Sequence, residues 1–99
     1  MHMSTSIEFE WDASKNTANR KKHRISFEEA KTVFYDENAR IIDDPDHSEN
    51  EERFIILGFS YKLNLLMVSH CYRSSKDTIR IISARKATKL ESKQYEEFL

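Results

Sequence analysis

The sequence predicts an α+β domain: a small antiparallel β-sheet with helices packed on it, in the order β-α-α-β-β-β-β-α. Three observations predict it. Two capping boxes, Ser26 with Glu29 and Thr88 with Glu91, mark helix starts. Three apolar stretches, residues 54–60, 65–72 and 79–84, are joined by links of about four residues. Links that short suit antiparallel hairpins, because parallel pairs need a crossover of a dozen or more. The chain has 99 residues, a length that fits one domain spanning 1–99.

In chain order, Ile7, Phe9 and Trp11 alternate with Glu8 and Glu10, a period of two that predicts a short strand. Residues 1–6 read as a flexible or cloning-derived lead-in and stay outside the fold argument. Asp12 can cap a helix over about residues 13–23. That helix is weakly apolar (Ala13, Ala18) and ends in Arg20, Lys21, Lys22, His23 and Arg24. Cations in a last turn complement the helix dipole. Ser26 opens a second helix to about Tyr35, with Phe27, Ala30, Val33 and Phe34 facing inward. A short strand is expected around 40–42. A loop rich in Asp and Ser, punctuated by Pro45, follows it. Three strands come next, and then a final helix bearing Leu90, Tyr95, Phe98 and Leu99.

Composition narrows the function. Lys+Arg number 16 and Asp+Glu 17, so the net charge is −1. The balance hides a pattern: residues 1–24 sum to +2, 25–56 to −7 and 57–99 to +4. An acidic middle between basic ends allows surfaces with different partners. No apolar run is long enough for a membrane span. A lone Cys71 excludes an internal disulfide and suits a reducing cytoplasm, and it reads as a buried structural thiol. A single Gly58 excludes a glycine-rich phosphate loop. His2, His23, His47 and His70 share no ligand spacing, so neither a metal nor another cofactor is expected.

The arginines carry more information. Arg53, Arg73, Arg80 and Arg85 lie on or at the ends of predicted strands, with His70, Tyr72, Lys86 and Lys89 nearby. Such a face can hold phosphate bidentately and stack a base. Strand parity puts Glu51 with Arg53, and His70 with Tyr72. Arg80 and Arg85 have opposite parity. They share a face only if the strand bulges or ends near Ser83.

Four blocks then carry a resemblance. Phe9-Glu10-Trp11-Asp12 comes first, then Lys22-His23-Arg24-Ile25-Ser26-Phe27-Glu28-Glu29-Ala30. Asp44-Pro45-Asp46-His47-Ser48 with Glu51 and Arg53 follows, and Arg80-Ile81-Ile82-Ser83-Ala84-Arg85-Lys86-Ala87-Thr88 closes the series. Together, in that order, they resemble the BrnT family, ribonuclease toxins of type II toxin–antitoxin systems with a RelE-like fold. One departure is visible: Arg24 stands where the family usually has glycine after Lys-His. A glycine there suits a left-handed helix cap, a conformation Arg24 must take at some cost unless the helix ends differently.

The resemblance implies metal-independent endonucleolytic RNA cleavage, inhibiting translation and growth. The substrate's 2′-hydroxyl attacks the adjacent phosphate, leaving a cyclic phosphate and a 5′-hydroxyl. That chemistry needs a base, an acid and cations on the phosphate. The expected assignments are Arg53, Arg80 and Arg85 on the phosphate and Glu51 or His23 as base. His47 is a second acid–base group, Lys22 and Lys86 hold the RNA backbone, and Tyr72 stacks a base. The resemblance also implies a BrnA-type antitoxin that binds DNA, so that the complex represses its own operon. The chain itself is not expected to contact DNA or a membrane. A non-catalytic RNA- or protein-binding module on the same fold is the alternative.

Overall fold

A computed structural model of the chain describes residues 7–44, 52–73, 77–97 and 99. Each element starts where local chemistry dictates. Strand β1 (Glu8–Glu10) ends at Asp12, whose carboxylate accepts from the Ser14 and Lys15 amides at 2.8 and 3.2 Å and opens helix α1 (Ala13–His23). Ser26 Oγ accepts from the Glu29 amide at 3.0 Å and opens α2 (Phe27–Ala30), which tightens into a 3₁₀ turn over Lys31–Tyr35. Strands β2 (Arg40–Asp43), β3 (Phe54–Phe59), β4 (Leu65–Tyr72) and β5 (Thr78–Lys86) follow. Helix α3 (Lys89–Glu97) ends the order, which is the one the sequence predicts.

The strands form one sheet, in the order β1-β5-β4-β3-β2. Four strands pair antiparallel, β3, β4 and β5 through the short links expected and β2 with β3 through a longer one. β1 instead joins β5 in parallel, so the sheet is mixed. A long stretch of chain separates β1 from β5, so no hairpin fixes their direction. The helices also do not share one face. α1 and α2 cover the face carrying Ile56, Leu66, Val68, Ile81 and Ala84, where Ile25, Phe27, Ala30 and Val33 complete the main core. α3 lies on the opposite face, where Tyr95 packs on Leu57 and Met67. Of the apolar residues expected along α3, Tyr95 is buried, Leu90 and Leu99 are exposed, and Phe98 lies outside the described residues.

One clamp joins the layers. Asp36 Oδ2 accepts from the Phe59 amide at 2.8 Å and from the Tyr95 hydroxyl at 2.6 Å. Gly58 makes the approach possible. A Cβ there would sit 2.9 Å from Ala39 Cβ and 3.1 Å from Asp36 Oδ2. His70 is fully buried on the helix-covered side of β4, ringed by Phe34, Phe54 and Tyr72. Burial pushes its pKa down, so the ring is held neutral there. Cys71 is buried and is not in a disulfide.

Candidate active site

The site begins with a defect in β5. Ser69 pairs with Ser83 and His70 with Ile81, which leaves Ile82 without a partner. This bulge resets the parity. Ile79, Ile81 and Ala84 face the main core, while Arg80, Ser83 and Arg85 face the other way. The condition for Arg80 and Arg85 to share a face is therefore met.

The second device is an open strand edge. β1 pairs with β5 only at Thr78, Ile79 and Arg80, so among the described residues the later half of β5 has β4 on one side and no strand on the other. Asn19 of α1 fills the gap. Its Oδ1 accepts from the Ala84 amide at 3.1 Å, and its Nδ2 donates to the Ala84 and Ile25 carbonyls at 2.8 and 2.9 Å. Three residues earlier, Asn16 Oδ1 accepts from the Phe27 amide at 2.9 Å. Asn19 thus fastens α1 to the edge, and Asn16 on the same helical face ties it to α2. The last turn of α1 then lies where Lys22 and His23 reach past β5 to the sheet's other face.

There they line a hollow of about 460 Å³ together with Asp44, Arg53, Ser69, Ser83 and Arg85. The uncovered face of the sheet forms its floor, through Ile55, Met67 and Ile82. Arg85 is oriented by Glu91 of α3. Nη1 and Nη2 donate to the two carboxylate oxygens at 2.8 and 2.9 Å. Among the described residues that end-on pair leaves Nε and one Nη2 proton uncommitted, the side-on fork that matches a phosphate. The same carboxylate accepts from the Thr88 amide at 2.9 Å, while Thr88 Oγ1 accepts from the Glu91 amide, so the second capping box is complete. Hydrogen bonding by Arg85 pulls the Glu91 carboxyl down to about 2, and Glu91 in turn raises the arginine. Asp44 is buried at the rim and accepts from Ser69 Oγ at 2.8 Å.

Lys22, His23, Arg53 and Arg85 are thus brought together, and three other expected site residues are not. Arg80 shares the face but does not line the hollow. Its Nη1 sits 3.0 Å from Glu10 Oε2, which Arg73 also approaches at 3.3 Å. Tyr72 is on the wrong side of the sheet, because its parity with His70 turns it toward the helix-covered face. Lys86 lines a separate hollow beside Tyr95 and Leu65 at the far end of β5. His47 and Glu51 lie outside the described residues. Asp44, Ser69, Ser83 and Glu91 line or support the hollow without being expected site residues; the one sequence signal near them is the Thr88–Glu91 capping box, which ties Glu91 to the segment after Arg85.

The fold matches the crystal structure of the Brucella abortus ribonuclease toxin, BrnT, with a TM-score of 0.63 and 20% identity, over 85% of this chain and 100% of that one. At that identity the likeness concerns the fold. A family model described as the ribonuclease toxin, BrnT, of type II toxin–antitoxin systems matches residues 11–91. The chain belongs to this BrnT family of ribonuclease toxins. Membership implies an RNA substrate and an antitoxin protein as partner. No curated protein sequence matches the chain. Among the described residues no helix is long and apolar enough to cross a membrane.

Proposed function

We propose that the chain is a metal-independent endoribonuclease whose centre is the hollow holding Lys22, His23, Arg53 and Arg85. The observation that carries this reading is the delivery of the α1 terminus across the open edge of β5, which puts an imidazole and three cations in one concavity. His23 takes the proton of the 2′-hydroxyl as it attacks the adjacent phosphorus. The phosphorus–O5′ bond breaks, and the leaving oxygen takes up a proton from water. The products are a 2′,3′-cyclic phosphate and a 5′-hydroxyl. The side-on fork of Arg85, together with Arg53, offsets charge on the phosphate oxygens. Lys22 holds the flanking backbone. Arg80, held by Glu10, ties β1 to β5 and supports the sheet.

An antitoxin of the BrnA type would silence this centre, and its DNA-binding part would bring the complex to its own operon. Expression of the toxin alone should arrest growth, and co-expression of the neighbouring antitoxin should relieve it. In vitro, purified protein in EDTA should cleave RNA. His23→Ala should lose about 10²–10⁴-fold in rate. Arg53→Ala and Arg85→Ala should each lose about 10²-fold or more. Unchanged cleavage in all three variants sinks the assignment. Binding of RNA without cleavage by the wild type favours the non-catalytic module instead.

A further inference from the structure

On the outer side of the same helix terminus lies a second hollow, of about 890 Å³. Arg20, Lys21 and Arg24 line it from α1 and its cap, and Lys62 from the link between β3 and β4. Among the described residues none of these four cations forms an ion pair. Two carboxylates also border the hollow: Glu28 is exposed and lies within the field of Arg20, while Glu29 is turned inward. Glu28 accepts from Asn16 Nδ2 at 3.0 Å. Glu29 is buried and accepts from Ser60 Oγ at 2.6 Å and Asn64 Nδ2 at 2.8 Å. The hollow therefore presents four cations, one of them Lys62 resting over the Tyr61 ring, against a single exposed carboxylate.

Backbone conformation gives an independent observation. Arg24 caps α1 at φ 64° and ψ 23°, the left-handed region that favours glycine. Its amide still makes the cap bond to the Arg20 carbonyl, at 2.9 Å. Glycine would make the same bond without the steric cost, so helix termination does not account for an arginine here. What the arginine adds is a cation facing Arg20, Lys21 and Lys62. The two hollows share one ridge: Lys22 and His23 line the inner one, Lys21 and Arg24 the outer.

We infer that the Arg20–Lys21–Arg24–Lys62 hollow is a second RNA subsite, holding backbone phosphates of the strand that leaves the cleavage centre. The inference rests on the ribonuclease reading of the inner hollow. It extends that reading to substrate length, because this protein should grip a long single strand better than a short one. The contacts are to phosphate, so they are insensitive to base sequence and sensitive to salt.

The test compares wild type, Arg24→Gly, and a triple variant that adds Arg20→Ala and Lys62→Ala. The probes are a fluorescent single-stranded RNA of about twelve nucleotides and a trinucleotide. For the long RNA the triple variant should bind at least about tenfold more weakly, and its log–log salt slope should fall by about two. Its cleavage efficiency on the long RNA, relative to the trinucleotide, should drop about tenfold. Arg24→Gly should melt about 4–8 °C higher than wild type yet bind the long RNA more weakly, so a folding defect cannot mimic the result. Wild-type affinity and salt slope in the triple variant, with RNA still cleaved, overturn the subsite alone. Loss of binding to a poly-glutamate peptide with RNA binding intact overturns it in favour of an acidic protein partner. A wild type that neither binds nor cuts RNA removes the ribonuclease reading, and the subsite with it.

Discussion

At the scale of single residues, the proposed centre depends on how Arg85 is held. A free arginine on a strand samples many rotamers, and a phosphate that recruits it must order it. Glu91 does that ordering in advance through a two-bond contact, and the Thr88 capping box fixes Glu91 in turn. The linkage has a definite sign. The Glu91 carboxyl falls from 4.5 to about 2 in the fold, so its contribution is present above pH 4.5 and is lost as pH falls toward 2. The arginine is 42% exposed, so solvent limits the stabilisation to about 1 kcal/mol. Acid unfolding of Glu91→Gln should show a flatter loss of stability between pH 4.5 and 2 than wild type. Identical acid limbs would show that the pair contributes nothing. The same variant should cleave RNA more slowly at neutral pH, because Arg85 loses its fixed orientation.

At the scale of elements, α1 is fastened through polar groups. Its face toward the sheet is made by Asn16 and Asn19, both buried, and not by a stripe of apolar side chains. Asn19→Ala would leave the Ala84 amide and carbonyl and the Ile25 carbonyl without their partner. At about 1–3 kcal/mol for each unsatisfied buried group, partly recovered by water, a loss of about 2–4 kcal/mol is expected by urea denaturation. Cleavage should fall beyond what the unfolded fraction explains, since Lys22 and His23 lose their anchor. A loss below about 0.5 kcal/mol would contradict the edge-filling role. This element also marks how far the sequence could be read. The helix limits at Asp12 and His23 were legible, because caps are local chemistry. Its docking was not, because an asparagine amide that completes a strand edge leaves no hydrophobic period. The β5 bulge was legible as a condition, from the parity of Arg80 and Arg85, but not as a fact. Tyr72 falls outside the hollow for a related reason: parity joins it to His70, yet the sequence does not say which face the helices cover.

At the scale of the whole molecule, the two sheet faces divide the work. One is sealed by α1, α2 and the main core. The other is covered by α3 at one end, around Tyr95, and open at the end where Arg53, Ser69 and Arg85 lie. The charge pattern sharpens accordingly. The acidic middle segment suggests loops set apart from a basic surface, but several of its carboxylates are internal. Asp36 clamps β3 to α3, Glu29 holds the β3–β4 link, and Asp44 sits inside the hollow beside the cations. Near-zero net charge therefore coexists with concentrated positive charge on both sides of the α1 terminus. A metal-independent cleavage centre formed by this terminus and the Arg53–Arg85 face is tested by end-group analysis of RNA incubated with the protein in EDTA, for wild type and His23→Ala. The wild type should leave 2′,3′-cyclic phosphate and 5′-hydroxyl ends, lost on 2′-deoxy substitution at the cleaved nucleotide and strongly reduced in His23→Ala. Ends bearing 5′-phosphate and 3′-hydroxyl, or cyclic ends produced at an undiminished rate by His23→Ala, would contradict it.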